Sequence, residues 1–186
     1  CEIDHELIVQ RLPIASGALI IQKMSSVVRV HDVRIVREAS AGPNNVIVVW
    51  RRDQGAPDHV SIADSTIIQH TAGNVISGVG IVGLRLAHTS VFADYPGWYG
   101  VDALGSAGAY AARTSEIEVV DSQFYGPYAA VLRVSGSYGG TGSVSMERVW
   151  SDGAVQGLRC ENVAIGGGVL GPIWYAGNTM PAPVCG

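Results

Sequence analysis

The segment WRRDQGAPDH gathers six residues able to do chemistry within ten positions: Trp50, Arg51, Arg52, Asp53, Asp58 and His59. Guanidinium groups grip sugar carboxylates, and carboxylates bind calcium, accept hydroxyl hydrogen bonds or move protons. On an extended strand Arg51 and Arg52 point to opposite faces, so only one of them can share a groove with Asp53. The segment therefore offers Arg52, Asp53, Asp58 and His59 as catalytic candidates. Trp50 and Arg51 are candidates for substrate binding, with the indole as a stacking platform. The competing reading is an exposed turn held by its own ion pairs.

A second group lies further along. His70 and His88 fall near corners of the pattern described below, and Asp94, Tyr95, Trp98, Tyr99 and Asp102 share one long loop. Aromatic rings stack on sugar faces while carboxylates accept their hydroxyls, so Asp94, Trp98, Tyr99 and Asp102 join the substrate-binding candidates. The alternative is that the rings fold the loop back onto the body of the protein. No Cys or His spacing matches a zinc site, and no metal ligand is assigned. The run Gly166 to Gly168 lacks the Lys-Ser/Thr of a phosphate loop, so nucleotide binding has no support.

The elements that position these residues must come from a chain of 186 residues, long enough for one domain with a real core. Only 15% of the residues are charged, 47% are hydrophobic and 24 are glycine. Eleven of the 12 basic residues are arginines scattered along the chain, and the net charge is -4, which argues against nucleic-acid binding through phosphates. No apolar run reaches the ~18 residues of a membrane span. The chain starts at Cys1 with neither initiator Met nor signal peptide, as expected of a processed or excised segment. Cys1, Cys160 and Cys185 allow at most one intramolecular disulfide.

The stretch VSIADSTI pauses for Asp64-Ser65 between two alternating apolar pairs, and the pause recurs. A template of apolar, any, apolar, any, polar, small or apolar, any, apolar fits copies starting at 7, 28, 60, 84, 117 and 158, and fits less well a copy at 144, where Ser151 stands in the last apolar position. The mean step is about 25 residues, the length of one solenoid turn. Between the copies lie further β-type runs at Ala18 to Gln22, Val46 to Trp50, Val75 to Val82 and Val131 to Val134. Short strands joined by Asp, Asn, Ser and Gly corners spell a parallel β-helix. Each turn hydrogen-bonds to its neighbours, and inward aliphatic residues stack at fixed offsets. Asp and Asn suit the sharp corner because they tolerate a left-handed backbone. The pattern predicts about six to seven turns. Its core contains Val60, Ile62, Ile67, Leu84, Leu86, Val91, Ile117, Val119 and Phe124, and its corner row contains Asp64, His88, Asp121 and Asn162. A single domain spans 1–186, with 172–186 as a C-terminal capping segment.

From about Leu7 to Ile165 this motif string resembles the right-handed parallel β-helix of the pectate-lyase-like superfamily, which includes polysaccharide lyases, tailspikes and surface adhesins. The segment DHVSIADSTIIQHTAGNVISG, from Asp58, is similar to the lyases' strand-corner-strand segment. Ala63 and Asp64 stand where the lyases carry an Asp-His pair, and the family's Arg-x-Pro-x-x-Arg segment is absent. The resemblance implies a secreted or cell- or virion-surface protein that binds polysaccharide. Catalysis is left open: an enzyme of this kind would be a polysaccharide lyase or glycoside hydrolase. No cofactor is expected, with calcium an option only in the lyase case. The other reading is a structural, self-associating β-helix: a fibre, virion or filament subunit, or an adhesin.

Overall fold

The computed structural model describes residues 1–13, 17–22, 27–50, 59–79, 83–104, 116–135, 141–161, 169–181 and 183–185. Strands follow one another in threes. They are β1 (Glu2–Asp4), β2 (Leu7–Gln10) and β3 (Leu19–Gln22), then β4 (Val28–His31), β5 (Arg34–Arg37) and β6 (Ile47–Trp50). Next come β7 (His59–Ala63), β8 (Thr66–Gln69) and β9 (Ile76–Val79), followed by β10 (Gly83–Ala87), β11 (Ser90–Ala93) and β12 (Tyr99–Leu104). The last full sets are β13 (Glu116–Val120), β14 (Gln123–Tyr125) and β15 (Ala130–Ser135), then β16 (Thr141–Glu147), β17 (Trp150–Asp152) and β18 (Leu158–Glu161). The chain closes with β19 (Val169–Ala176) and β20 (Val184–Cys185).

Every third strand pairs in parallel, which makes three faces: β1-β4-β7-β10-β13-β16-β19, β2-β5-β8-β11-β14-β17 and β3-β6-β9-β12-β15-β18-β20. The protein is a parallel β-solenoid. The six rungs of the second face span five complete turns, slightly fewer than the six to seven expected. The segment 172–186, expected as a cap, contains the end of β19 and all of β20, which extend the first and third sheets by a rung.

Alternation decides which residues face inward. On the first face Val28, Val60, Leu84, Ile117 and Val144 stack in one inward row, and Val30, Ile62, Leu86, Val119 and Met146 in the next. Ile35, Ile67, Val91 and Phe124 line the second face, and Ile47, Ile76, Val101, Leu132 and Leu158 the third. All of these are buried, including the whole core predicted from the repeat. Burying each such side chain contributes about 1.5–3 kcal/mol.

The corner between the first and second faces turns on one residue. His5, Asp32, Asp64, His88, Asp121 and Arg148 all have positive φ, between 49° and 53°. Asp and His tolerate this left-handed region better than most side chains, which explains their recurrence. At every corner but the first, where Glu6 is exposed, the next residue is buried and seals the corner. The hydroxyls of Ser65, Thr89 and Ser122 donate to the carbonyls of Ala63, Ala87 and Val120, at 2.5, 2.8 and 2.8 Å. Ser65 and Ser122 also accept the backbone N–H of Val33 and Thr89 from the preceding turn. Polar groups that the bend would strand are thereby paired within and between rungs.

The predicted corner row is correct for Asp64, His88 and Asp121, and His88 lies between the two aspartates as charge repulsion requires. Asn162 lies outside the described residues. Two template copies belong elsewhere: Leu7 starts a second-face strand and Leu158 a third-face strand, so neither spans this corner. The first true copy turns at His5, where Glu6 breaks the small-or-apolar rule.

Polar residues also enter the solenoid. Buried Arg37 donates to Gln10 Oε1 and to the carbonyls of Ala41 and Gly42, both at 3.1 Å. Cys160 is disulfide-bonded and stands in register with Cys185 on β20, while Cys1 is free and exposed.

Candidate functional site

Two of the outward rows on the first face run side by side across successive rungs. His59, Gly83, Glu116 and Ser143 make the first, and Ser61, Arg85, Glu118, Ser145 and Trp174 the second. Together they line an open groove of about 510 Å³ that runs from β7 to β19, with Glu147 at its edge. A Cβ at Gly83 would strike the His59 ring, so the absent side chain lets the imidazole lie over the next rung. The Arg85 Nε donates to Glu118 Oε2 at 2.9 Å. Glu147 accepts from the Ser145 hydroxyl at 3.1 Å and pairs with Arg148 at 3.4 Å. Among the described residues the Glu116 side chain has no ion-pair or hydrogen-bond partner, and Trp174 is 52% exposed. The groove thus holds three carboxylates, one guanidinium, one imidazole and one aromatic surface.

The corner row borders this face. Arg148 grips Asp121 with two hydrogen bonds, at 2.6 and 2.8 Å. The bond from Arg148, aided by the charges of Arg148, His88 and Arg85, holds the Asp121 carboxyl below the ordinary carboxylate range. The same pairing raises the Arg148 guanidinium.

Of the residues singled out in the sequence, His59 lies in the groove. Trp50 ends β6 on the third face, and Arg51, Arg52, Asp53 and Asp58 lie outside the described residues. The loop carrying Asp94 and exposed Trp98 joins the second face to the third, whereas His59 opens the first face. His59 and the loop with Asp94 and Trp98 therefore stand at different corners of the cross-section. Asp94 Oδ2 accepts from His70 Nδ1 at 2.7 Å, in the tautomer that places the ring proton on Nδ1. Asp102 is buried on the third face, where it accepts from Asn74 at 2.7 Å and from Arg133 through two bonds of 2.8 Å. The Arg133 guanidinium in turn stacks on Tyr99, 4.1 Å from the ring centre.

Sequence reasoning missed Arg85, Glu116, Glu118 and Trp174. Three of them carried a signal: Arg85 and Glu118 occupy the "any" position between the two apolar residues of their template copies, and Glu116 immediately precedes its copy. Those positions point outward by strand alternation. Trp174 had been assigned to the capping segment.

The class that this fold defines is the parallel β-solenoid. No protein-family model, no curated protein and no solved structure matches the chain. No helix among the described residues is long and apolar enough to cross a membrane.

Proposed function

We propose that this protein binds a polysaccharide along the first-face groove. The observation that carries the reading is an open groove over several rungs, edged by carboxylates, a guanidinium and an imidazole, that ends on an exposed indole. A linear glycan suits it, because successive sugars can lie across successive rungs while Trp174 stacks on one ring. Three carboxylates to one guanidinium favour neutral or amino sugars over the acidic glycans that the arginine-rich 51–52 pair suggested. Glu118 and Glu147 are already engaged, which leaves Glu116 as the carboxylate free for hydroxyls or ammonium groups. That is a binding arrangement, short of the two poised carboxylates that glycoside hydrolysis needs.

Membership of the pectate-lyase-like superfamily belongs to the same proposal and rests on the parallel β-helix and the sequence resemblance. The disulfide at Cys160 supports an oxidising location, hence secretion or a cell or virion surface. A second reading, self-association into a structural assembly, draws on the second face. Leu7 is 64% exposed there, beside the outward row Val9, Val36, Ile68, Phe92 and Tyr125, and Leu12, just past the end of β2, is 72% exposed.

The test is a glycan-array screen followed by calorimetry, with molecular mass measured in parallel. Binding of a neutral or aminated oligosaccharide that falls roughly tenfold or more in both Trp174→Ala and Glu116→Gln is the expected result. No binding to any glycan, together with a mass several times that of one chain, would transfer the case to the structural assembly.

A further inference from the structure

The first two rungs carry a cluster that the groove does not use. Asp4 of β1 and His31 of β4 are in register, and His5 and Asp32 are the next residues, consecutive members of the corner row. The Asp4 carboxylate oxygen Oδ1 lies 2.5 Å from His5 Nδ1 and 3.1 Å from His31 Nδ1. His5 Nε2 lies 3.0 Å from Asp32 Oδ2, and His31 Nε2 lies 2.8 Å from Glu2 Oε1. One donor atom each from Asp4, His5 and Asp32 falls within 4.8 Å of the others.

We propose that Asp4, His5 and Asp32 bind a divalent transition-metal ion of the zinc type, joined by His31 through Nδ1, with Glu2 orienting that ring. Several independent features point to a cation. Asp4 Oδ1 is shielded from solvent, and two imidazole nitrogens, His5 Nδ1 and His31 Nδ1, converge on it. When His31 donates its Nε2 proton to Glu2, its bare Nδ1 faces the carboxylate oxygen of Asp4: two lone pairs 3.1 Å apart that a cation would reconcile. An imidazole whose second nitrogen donates to a carboxylate is also the arrangement that orients histidine beside a metal. Three carboxylates (Glu2, Asp4 and Asp32) converge with two imidazoles, and no arginine or lysine pairs with them among the described residues. Mixed imidazole and carboxylate donors suit zinc-like ions better than calcium.

The repeat makes the cluster specific to one end. Positions equivalent to Asp4 and His31 on the next three rungs are Ala63, Ala87 and Val120, which offer no ligand. The corner row continues through Asp64, His88 and Asp121 with Ala63, Ala87 and Val120 beside them, and the neighbouring outward row regains a carboxylate at Glu147, where the corner residue is the cation Arg148. Sequence spacing hides the cluster because its two halves are 27 residues apart and meet only through stacking.

The experiment is calorimetric titration of Zn²⁺ into untagged protein stripped with a chelator, with Ca²⁺ as the comparison ion. One zinc per chain is expected, bound more tightly than calcium and weakened at least about tenfold in His5→Asn and Asp32→Asn. Asparagine tolerates the left-handed corner, so both variants should keep the fold, and circular dichroism checks this. His88→Asn, a change at another corner, should bind zinc as the wild type does. X-ray absorption of the zinc-loaded wild type should show imidazole and oxygen donors, a readout independent of any variant. The proposal is overturned by an absence of saturable zinc uptake, by uptake that survives the combined His5→Asn and Asp32→Asn change, by preference for calcium, or by sulfur in the coordination shell.

Discussion

Asp121 shows how much of this molecule's electrostatics is organised by its corners. Its carboxyl is held low by hydrogen bonds from Arg148, the residue one turn on in the same row. A carboxyl depressed in the folded state stabilises above its unfolded pKa of about 3.9, and that contribution disappears as the pH falls through the folded value. Asp121→Asn keeps a residue that accepts positive φ and removes only the charge. The variant should melt below the wild type at pH 6, and the two melting temperatures should converge as the pH drops towards about 2. A gap that persists unchanged into acid would mean that the Asp121–Arg148 pair is not what the carboxylate contributes. At this scale the sequence was partly readable: Asp121 and His88 stood out by type and spacing. Arg148 stood in the template too, but its grip on the aspartate one turn earlier depends on stacking.

The element that repeats is a strand, a left-handed corner and a second strand. Strand alternation forces apolar residues inward at i and i+2, and the corner demands a residue that tolerates φ near 50°. Those two constraints made five of the seven template copies fall on the right elements. The copies at 7 and 158 failed for a physical reason. A third-face strand such as Leu158–Glu161 also alternates, and alternation alone does not say which corner follows. The corner at Asp64 offers a direct check. Asp64→Gly relieves the backbone and should leave stability nearly unchanged, whereas Asp64→Val forces a β-branched residue into the left-handed region. The valine variant should lose roughly 1–2 kcal/mol in urea unfolding. Equal stabilities for the two would remove the corner from the explanation of the repeat.

At the scale of the whole molecule, stacking creates sites from residues far apart in the chain. His59 and Trp174 share one groove because β7 and β19 belong to the same sheet, with three strands between them. Linear inspection weighted the dense Trp50 to His59 segment and the Asp94 to Asp102 loop, since proximity in sequence was the only proximity available. The fold instead distributes Asp94, Asp102 and His59 over three different places and assembles the groove from alternate positions of five strands. The most direct test of this account is hydrogen exchange of the protein with and without the oligosaccharide that the array selects. The account predicts slowed exchange across β7, β10, β13, β16 and β19, strongest towards Trp174, with the second and third faces unchanged. Protection confined to the second or third face, or none at a saturating glycan concentration, would contradict it.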